Sequence, residues 1–510
     1  MSRRFPLVRQ AGVLGAALVL SATAGGCGAS SSTSNAGGAF RGTITMWAGA
    51  YYTPQPATSS NPNPPTELAK LAKEWETTHP GITIKFLPVL PPTVQDTAWL
   101  ETRIAAGQAP DVSYLDSVGI ANHVIPLGTF VNLTPYFNKP NPYVPGNKAW
   151  GDLWTATDRA AVTASNGATY EVNADTVGTP IYYNKTMFAK AGITSTPTTW
   201  AQFMQDVHQL KAAGLTPMGW DLTASYYGNG GYAWLNNYFE SNFYGNQLSS
   251  MRYDGQAGIT ALDEAIAVKK GLMGPANARF FAWWPAVRNL SQYFQRGYES
   301  AGSSLGKVGL AELFVQNQFA MYLGGSWDIG YIKSAHPNFQ WGTFALPQVD
   351  SAVSSYATSV NTSNVIAGVG GGAFVYPVPT QKADHSMTPA KLKAVINWLQ
   401  FITTPQHDQA IVNQVPGFLP IEIGTHPAPQ LSQFAAQISG ATAALSTEDG
   451  ATLTPTELQT VYQTWEQYML GQISLSQAKT TLLPVVQAAA SQVIAQAEKS
   501  GINVQQMMNK

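Results

Sequence analysis

Apolar and polar residues alternate along residues 43–47 (TITMW), where Ile44 and Met46 face one way and the threonines the other, the period of a strand. A loop rich in proline and asparagine follows at residues 54–65. Thr66 then caps a predicted helix whose Leu68, Leu71 and Trp75 recur at helical spacing, and Pro80-Gly81 stops it. Residues 82–89 (ITIKFLPV) alternate again, a second helical stretch ends at Gly107, and APDVSYLDS (109–117) reads as a further strand. Strand, helix, strand, helix, strand is the order of a parallel sheet with crossover helices. The unit returns from Gly178, with TPIYYNK and a helix that begins at Thr199 or Trp200, turns Phe203, Val207 and Leu210 inward and closes at Gly214. Another helix starts at Thr388-Pro389, with Leu392, Val395, Ile396 and Leu399 as its stripe. The C-terminal region is helical at residues 455–470 and 476–500, with a kink predicted at Pro484.

The N-terminus carries a different signal. Arg3, Arg4 and Arg9 precede an apolar run over residues 11–20, and small residues lead to Ala24-Gly25-Gly26-Cys27, the layout of a secretory signal over residues 1–26. The run is far shorter than the roughly 20 residues that span a bilayer. Cys27 is the one cysteine in the chain, so no internal disulfide forms. Its position resembles a bacterial lipobox, in which the cysteine is acylated, with Ala24 standing where lipoboxes usually carry Leu. The polar run over residues 27–38 is read as a tether, and folding starts near Phe40.

About 470 residues remain, enough for two or three domains with sizeable cores. Removing the three signal arginines leaves 25 basic against 29 acidic residues, a net charge of −4, which excludes a nucleic-acid partner. Only 11% of the chain is charged, while Trp, Tyr, Ser, Thr, Asn, Gln and Gly abound, a composition suited to a neutral polar ligand.

Five segments, in order over residues 74 to 421, resemble the extracellular solute-binding proteins (family 1 type) that serve carbohydrate ABC importers. They are EWETTHPGITIKF, RIAAGQAPDVSYLDS, IYYNKTMFAKAGITSTPTTWAQF, FVQNQFAMYLGGSWDI and AVINWLQFITTPQHDQAIVNQVPGFLPI. The resemblance implies an α/β, two-lobed, periplasmic-binding-protein-like fold of type II with the ligand cleft between lobes and a helical C-terminal region. It assigns residues 39–118 plus 366–415 to the first lobe and 119–346 plus 421–510 to the second, with crossings near 117–121, 347–366 and 416–421. The aromatic-rich stretch from Trp220 to Trp284 fits the family pattern least and implies an enlarged second lobe.

A sugar needs apolar ring faces and a few placed polar groups. Trp327, in Gly324-Gly325-Ser326-Trp327, is the first candidate for a stacking ring, since the family places an aromatic at this turn and Gly325 allows close approach; a core Trp is the competing role. Trp47 ends the first strand, where open α/β sheets bind ligands, and lobe packing is its alternative. Asp116 holds the analogous end of its strand, as ligand acceptor or hinge, and Asp111 is expected to fix a turn. Tyr183, Trp220 with Asp221, and Trp234 complete the candidate ring and acceptor set; Tyr182 and Tyr183 point to opposite faces, so only one serves. Gly371 and Gly372 fall where the resemblance brings the chain back into the first lobe. The run from Gly368 to Ala373 also fits a dinucleotide-binding glycine pattern, but Pro377 and Pro379 prevent the helix that pattern requires.

The seven histidines are scattered without metal-ligand spacing, and no P-loop is present, so neither metal nor cofactor is expected and the chain is read as a binding protein. The competing readings are a different solute (polyol, peptide or iron chelate), a secreted glycoside hydrolase, and an adhesin. The expected partners are a carbohydrate, the permease subunits of the importer, and the membrane through the lipid anchor. The expected state is a monomer on the outer face of the cytoplasmic membrane.

Overall fold

A computed structural model of the chain describes residues 39–509 apart from 58–63, 92–95, 117–127, 165, 223–231, 246, 256–258, 304–308, 358–373, 416, 432–434 and 436–451. The strands are β1 (Gly42–Trp47), β2 (Ile82–Phe86), β3 (Val112–Ser113), β4 (Leu115–Asp116), β5 (Glu171–Asp175), β6 (Ile181–Asn184), β7 (Met218–Gly219), β8 (Met321–Leu323), β9 (Trp341–Phe344) and β10 (Phe374–Pro377). They form three sheets, ordered β2-β1-β3, β4-β10-β5 and β7-β8-β6-β9.

In the first sheet β1 pairs in parallel with β2 and β3, as the strand-helix alternation predicts. The helix Glu67–Thr78 buries Leu68, Leu71 and Trp75. Its start differs from expectation in one detail: the Gln414 side chain, not Thr66, accepts from the N–H groups of Thr66 and Glu67. The APDVSYLDS strand breaks in two. Val112–Ser113 stays on β1, the Tyr114 N–H still donates to the Trp47 carbonyl at 2.8 Å, and Leu115–Asp116 then pairs antiparallel with β10.

Asp111 ties this corner together. Its carboxylate accepts from the N–H and hydroxyl of Thr45 at 2.8 and 3.0 Å and lies 2.6 Å from the ammonium of Lys391, which also reaches Asp384 at 3.4 Å. The expected turn-fixing role is thus part of a buried charge cluster.

The first apolar core joins Ile44, Trp75, Val112, Trp398 and Leu399 to Phe137, Trp150, Trp154, Val172 and Val177. β5 pairs with β10 of the same region. Residues 129–177 therefore pack with the first core, whereas the resemblance assigned everything after 119 to the second lobe. The change of core comes between Val177 and Ile181.

The sheet β7-β8-β6-β9 is covered on both faces. Ile181, Met321 and Leu323 enter one core and Tyr182, Phe319 and Tyr322 another, the alternation of side chains across a strand. The helix Trp200–Ala212 starts in a capping box between Thr199 and Gln202, worth about 1 kcal/mol, and buries Phe203, Val207 and Leu210. The C-terminal helices Pro455–Met469 and Leu475–Lys499 close over the same side, the second running through Pro484. Most of the described aromatic-rich stretch is core: Trp283 stacks on Phe239 at 5.3 Å, and Trp465 lies 4.8 and 5.0 Å from Trp283 and Trp284. Among the described residues, no helix is long and apolar enough to cross a membrane.

Candidate functional site

The turn after β8 is built for one ring. A Cβ on Gly325 would lie within 2.5 Å of the Trp327 indole, and one on Gly324 would lie 2.6 Å from both the Asp328 carboxylate and the Tyr322 ring. Two glycines let the indole fold back over the backbone that carries it. The turn is held from several sides: the Tyr182 hydroxyl donates to the Gly325 carbonyl at 2.8 Å, the Gly324 N–H to Pro180 at 3.0 Å, and the Ser326 N–H to Gly178 at 2.7 Å.

Trp327 is partly buried and packs against both the first and the second core. Trp234, on the helix Tyr232–Tyr244 and only 5% exposed, lies 5.8 Å from it with the rings inclined at 58°. Trp327, Gly325 and Trp234 are thus brought together where the cores meet. Two chain segments cross there. Thr176 and Leu419 exchange backbone hydrogen bonds at 2.9 Å each in an antiparallel bridge, so residues 176–178 and 417–419 run side by side between the cores. The latter falls in the segment expected to cross at 416–421, and its Ile421 still packs against the first core. The crossing expected at 117–121 lies outside the described residues.

The other candidates lie elsewhere. Trp47 is 1% exposed, with its ring 5.0 Å from Trp99 and its packing against Leu100, Leu115 and Phe130, so lobe packing is what it does here. Trp220, also 1% exposed, stacks on Phe294 at 4.5 Å, and its backbone N–H donates to the Gln295 side chain at 2.7 Å; Asp221 is buried beside it. Tyr183 packs on Phe188 and Phe344 on the face away from Tyr182. It is Tyr182 that reaches the turn. Asp116 sits opposite Phe374 in the β4–β10 register. Gly371, Gly372 and Cys27 lie outside the described residues.

Tyr51 was not among the candidates. It sits on the short helix Gly49–Tyr52 just after β1, is 39% exposed, and lies 4.7 Å from Phe418, the neighbour of Gly417. Its neighbour Tyr52 is buried and donates to Asp175 at 2.8 Å, as does Tyr114 at 2.7 Å. The signal was the Tyr51-Tyr52 pair at a strand end, where the exposed member faces outward and the buried one braces the crossing.

Three buried carboxyls flank the crossings. Burial pushes Asp328 up to about 7, although the Tyr322 hydroxyl donates to it at 3.1 Å. Burial also raises Asp408 to about 7, and burial with the Asp408 charge holds its neighbour Glu422 well above the usual carboxyl range. Unfolded carboxyls titrate near 4, so the folded chain keeps protons that the unfolded chain releases; this stabilisation is complete below about pH 4 and is lost as pH rises through about 7. Melting temperatures are expected to fall between about pH 5 and about pH 8, and Asp408→Asn to flatten the fall. A midpoint that rises over that range would contradict the assignment. Among the described residues, no group of three or more His, Cys, Asp or Glu side chains is placed to hold a metal.

Residues 58–406 match the family model described as bacterial extracellular solute-binding protein. The "Multiple sugar-binding protein" of Streptococcus mutans is 25% identical over 294 residues, which are 55% of this chain and 59% of that protein. The match thus spans under two thirds of the relative's length. Among solved structures, a chitin oligosaccharide binding protein superimposes with a TM-score of 0.59 at 19% identity, over 88% of this chain and 99% of that one. The apo form of RafE from Streptococcus pneumoniae gives 0.58 at 20%, over 89% and 99%.

Proposed function

The chain belongs to the family of bacterial extracellular solute-binding proteins and has their two-lobed, type II architecture, and from that premise we propose that it captures a mono- or oligosaccharide between its lobes for an ABC importer. The observation that carries this reading is Trp327, partly exposed where both cores meet and set at an angle to Trp234. A pyranose offers C–H groups on its faces and hydroxyls at its edge. The partly buried indole of Trp327 takes the former, and the partly exposed Tyr51 supplies a second ring from the first-lobe side. A micromolar ligand requires about 8 kcal/mol. Two or three rings at about 0.5–1.5 kcal/mol each beyond area burial, with several hydrogen bonds, are of the right order.

The lobes close by hinge motion about residues 176–180 and 417–421. Contacts made to sugar from both sides supply the differential affinity that favours closure. The closed form is what the permease receives. The chain is held outside the cytoplasmic membrane by acylated Cys27, the polar run after it serving as tether. The sugar-binding names of the relatives support the ligand class. Binding is the whole of the activity, with no bond made or broken in the sugar.

Thermal-shift measurements against a panel of mono- and oligosaccharides, with product analysis of the same mixtures, test this reading. A raised melting temperature with an unchanged sugar is expected. Hydrolysed product, or stabilisation only by peptides or ferric chelates, would overturn it.

A further inference from the structure

We infer that Ser326 is the pin of the hinge, a positioning residue whose hydroxyl fastens the turn carrying Trp327 to both chain crossings at once. Ser326 is fully buried and faces no solvent from which a ligand could reach it. Its hydroxyl accepts from the Gly178 N–H at 3.2 Å and donates to the Gly417 carbonyl. Gly178 follows Val177 and Gly417 precedes Phe418, both members of the first core, while the turn itself continues β8 of the second lobe. One side chain therefore joins three segments that are distant in sequence.

Glycine at 417 lets its crossing approach the turn closely enough for the hydroxyl to be shared. Gly417 has φ +105, and its Cα faces the backbone of Ser326 and Trp327 so closely that no Cβ fits. The Thr176–Leu419 hydrogen bonds then zip the crossings together one step further on. Such a junction turns two separate strands into one flexing unit and sets the indole of the next residue relative to both cores. A turn tied only to its own lobe would carry the ring with that lobe alone. The inference rests on the hinge closure proposed above, and its test uses ligand-free protein, so the result does not depend on which solute binds.

Hydrogen exchange resolved to single amides is the measurement. Ser326→Ala removes the acceptor of Gly178 and the donor to Gly417, and is expected to raise exchange at Thr176, Gly178 and Leu419 about tenfold, leaving core amides such as Ile44 and Met321 near their original rates. Thr464→Ala is the control: it deletes a buried hydroxyl that bonds within its own helix and should not move the crossing amides. Crossing amides unchanged in Ser326→Ala, or accelerated equally in both variants, would overturn the inference. Should Ser326→Ala fail to fold, the wild-type chain decides: Thr176, Gly178, Ser326 and Leu419 are expected to open together, with protection agreeing within about threefold. Protection scattered beyond that range would show that no common pin exists.

Discussion

Replacing Gly417 by valine is expected to destabilise the folded chain by about 2–5 kcal/mol, the sum of backbone strain and overpacking. The residue sits at φ +105, where a branched side chain is strained whatever space is available. Space is also lacking. A Cβ would lie 2.6 Å from the Trp327 Cα and closer still to the Ser326 carbonyl oxygen, and both obstacles are backbone, so no rotamer change relieves them. The turn must move, and Trp327 moves with it. Urea unfolding should register the loss of stability, and any sugar bound by the wild type should bind less tightly. Wild-type stability in this variant would mean that the crossing does not press on the turn as described.

Lys391→Met is expected to cost about 3–5 kcal/mol, the usual consequence of removing one partner from a buried ion pair. The ammonium lies 2.6 Å from Asp111 and 3.4 Å from Asp384, both carboxylates largely out of solvent, and 2.7 Å from the hydroxyl of Ser386 at the exposed edge of the cluster. Methionine fills the volume but leaves two carboxylates facing each other. Burial already raises the Asp111 carboxyl even with Lys391 present to pull it down. The loss should therefore be partly recovered in Lys391→Met/Asp111→Asn, which removes the exposed repulsion. A double variant no more stable than the single one would show that the pair matters through packing alone.

Local pattern made much of the first lobe legible. The threonine–isoleucine alternation of β1 and the Leu68-Leu71-Trp75 stripe both stand where they were predicted, because each is set by neighbours within a few residues. The extent of the lobes was not legible in that way. Residues 129–177 join the first core through contacts such as Trp150 to Thr403, 253 positions apart, and no periodicity announces that pairing. Aromatic side chains posed the same difficulty. Trp47, Trp220 and Trp327 all end apolar stretches, yet two are fully buried by residues far along the chain and one lies between the cores. What distinguished Trp327 was its glycines, a backbone requirement that a sequence does display. Tyr51 lacked such a mark beyond its neighbour Tyr52.

The central claim is that Trp327 forms a wall of a sugar site between the lobes, and calorimetric titration of Trp327→Ala with the best sugar of the panel tests it most directly. Loss of a stacking ring predicts a dissociation constant raised tenfold or more, equivalent to about 1.4 kcal/mol, in a variant whose far-ultraviolet circular dichroism matches the wild type. A dissociation constant equal to that of the wild type would remove Trp327 from the site and contradict the account.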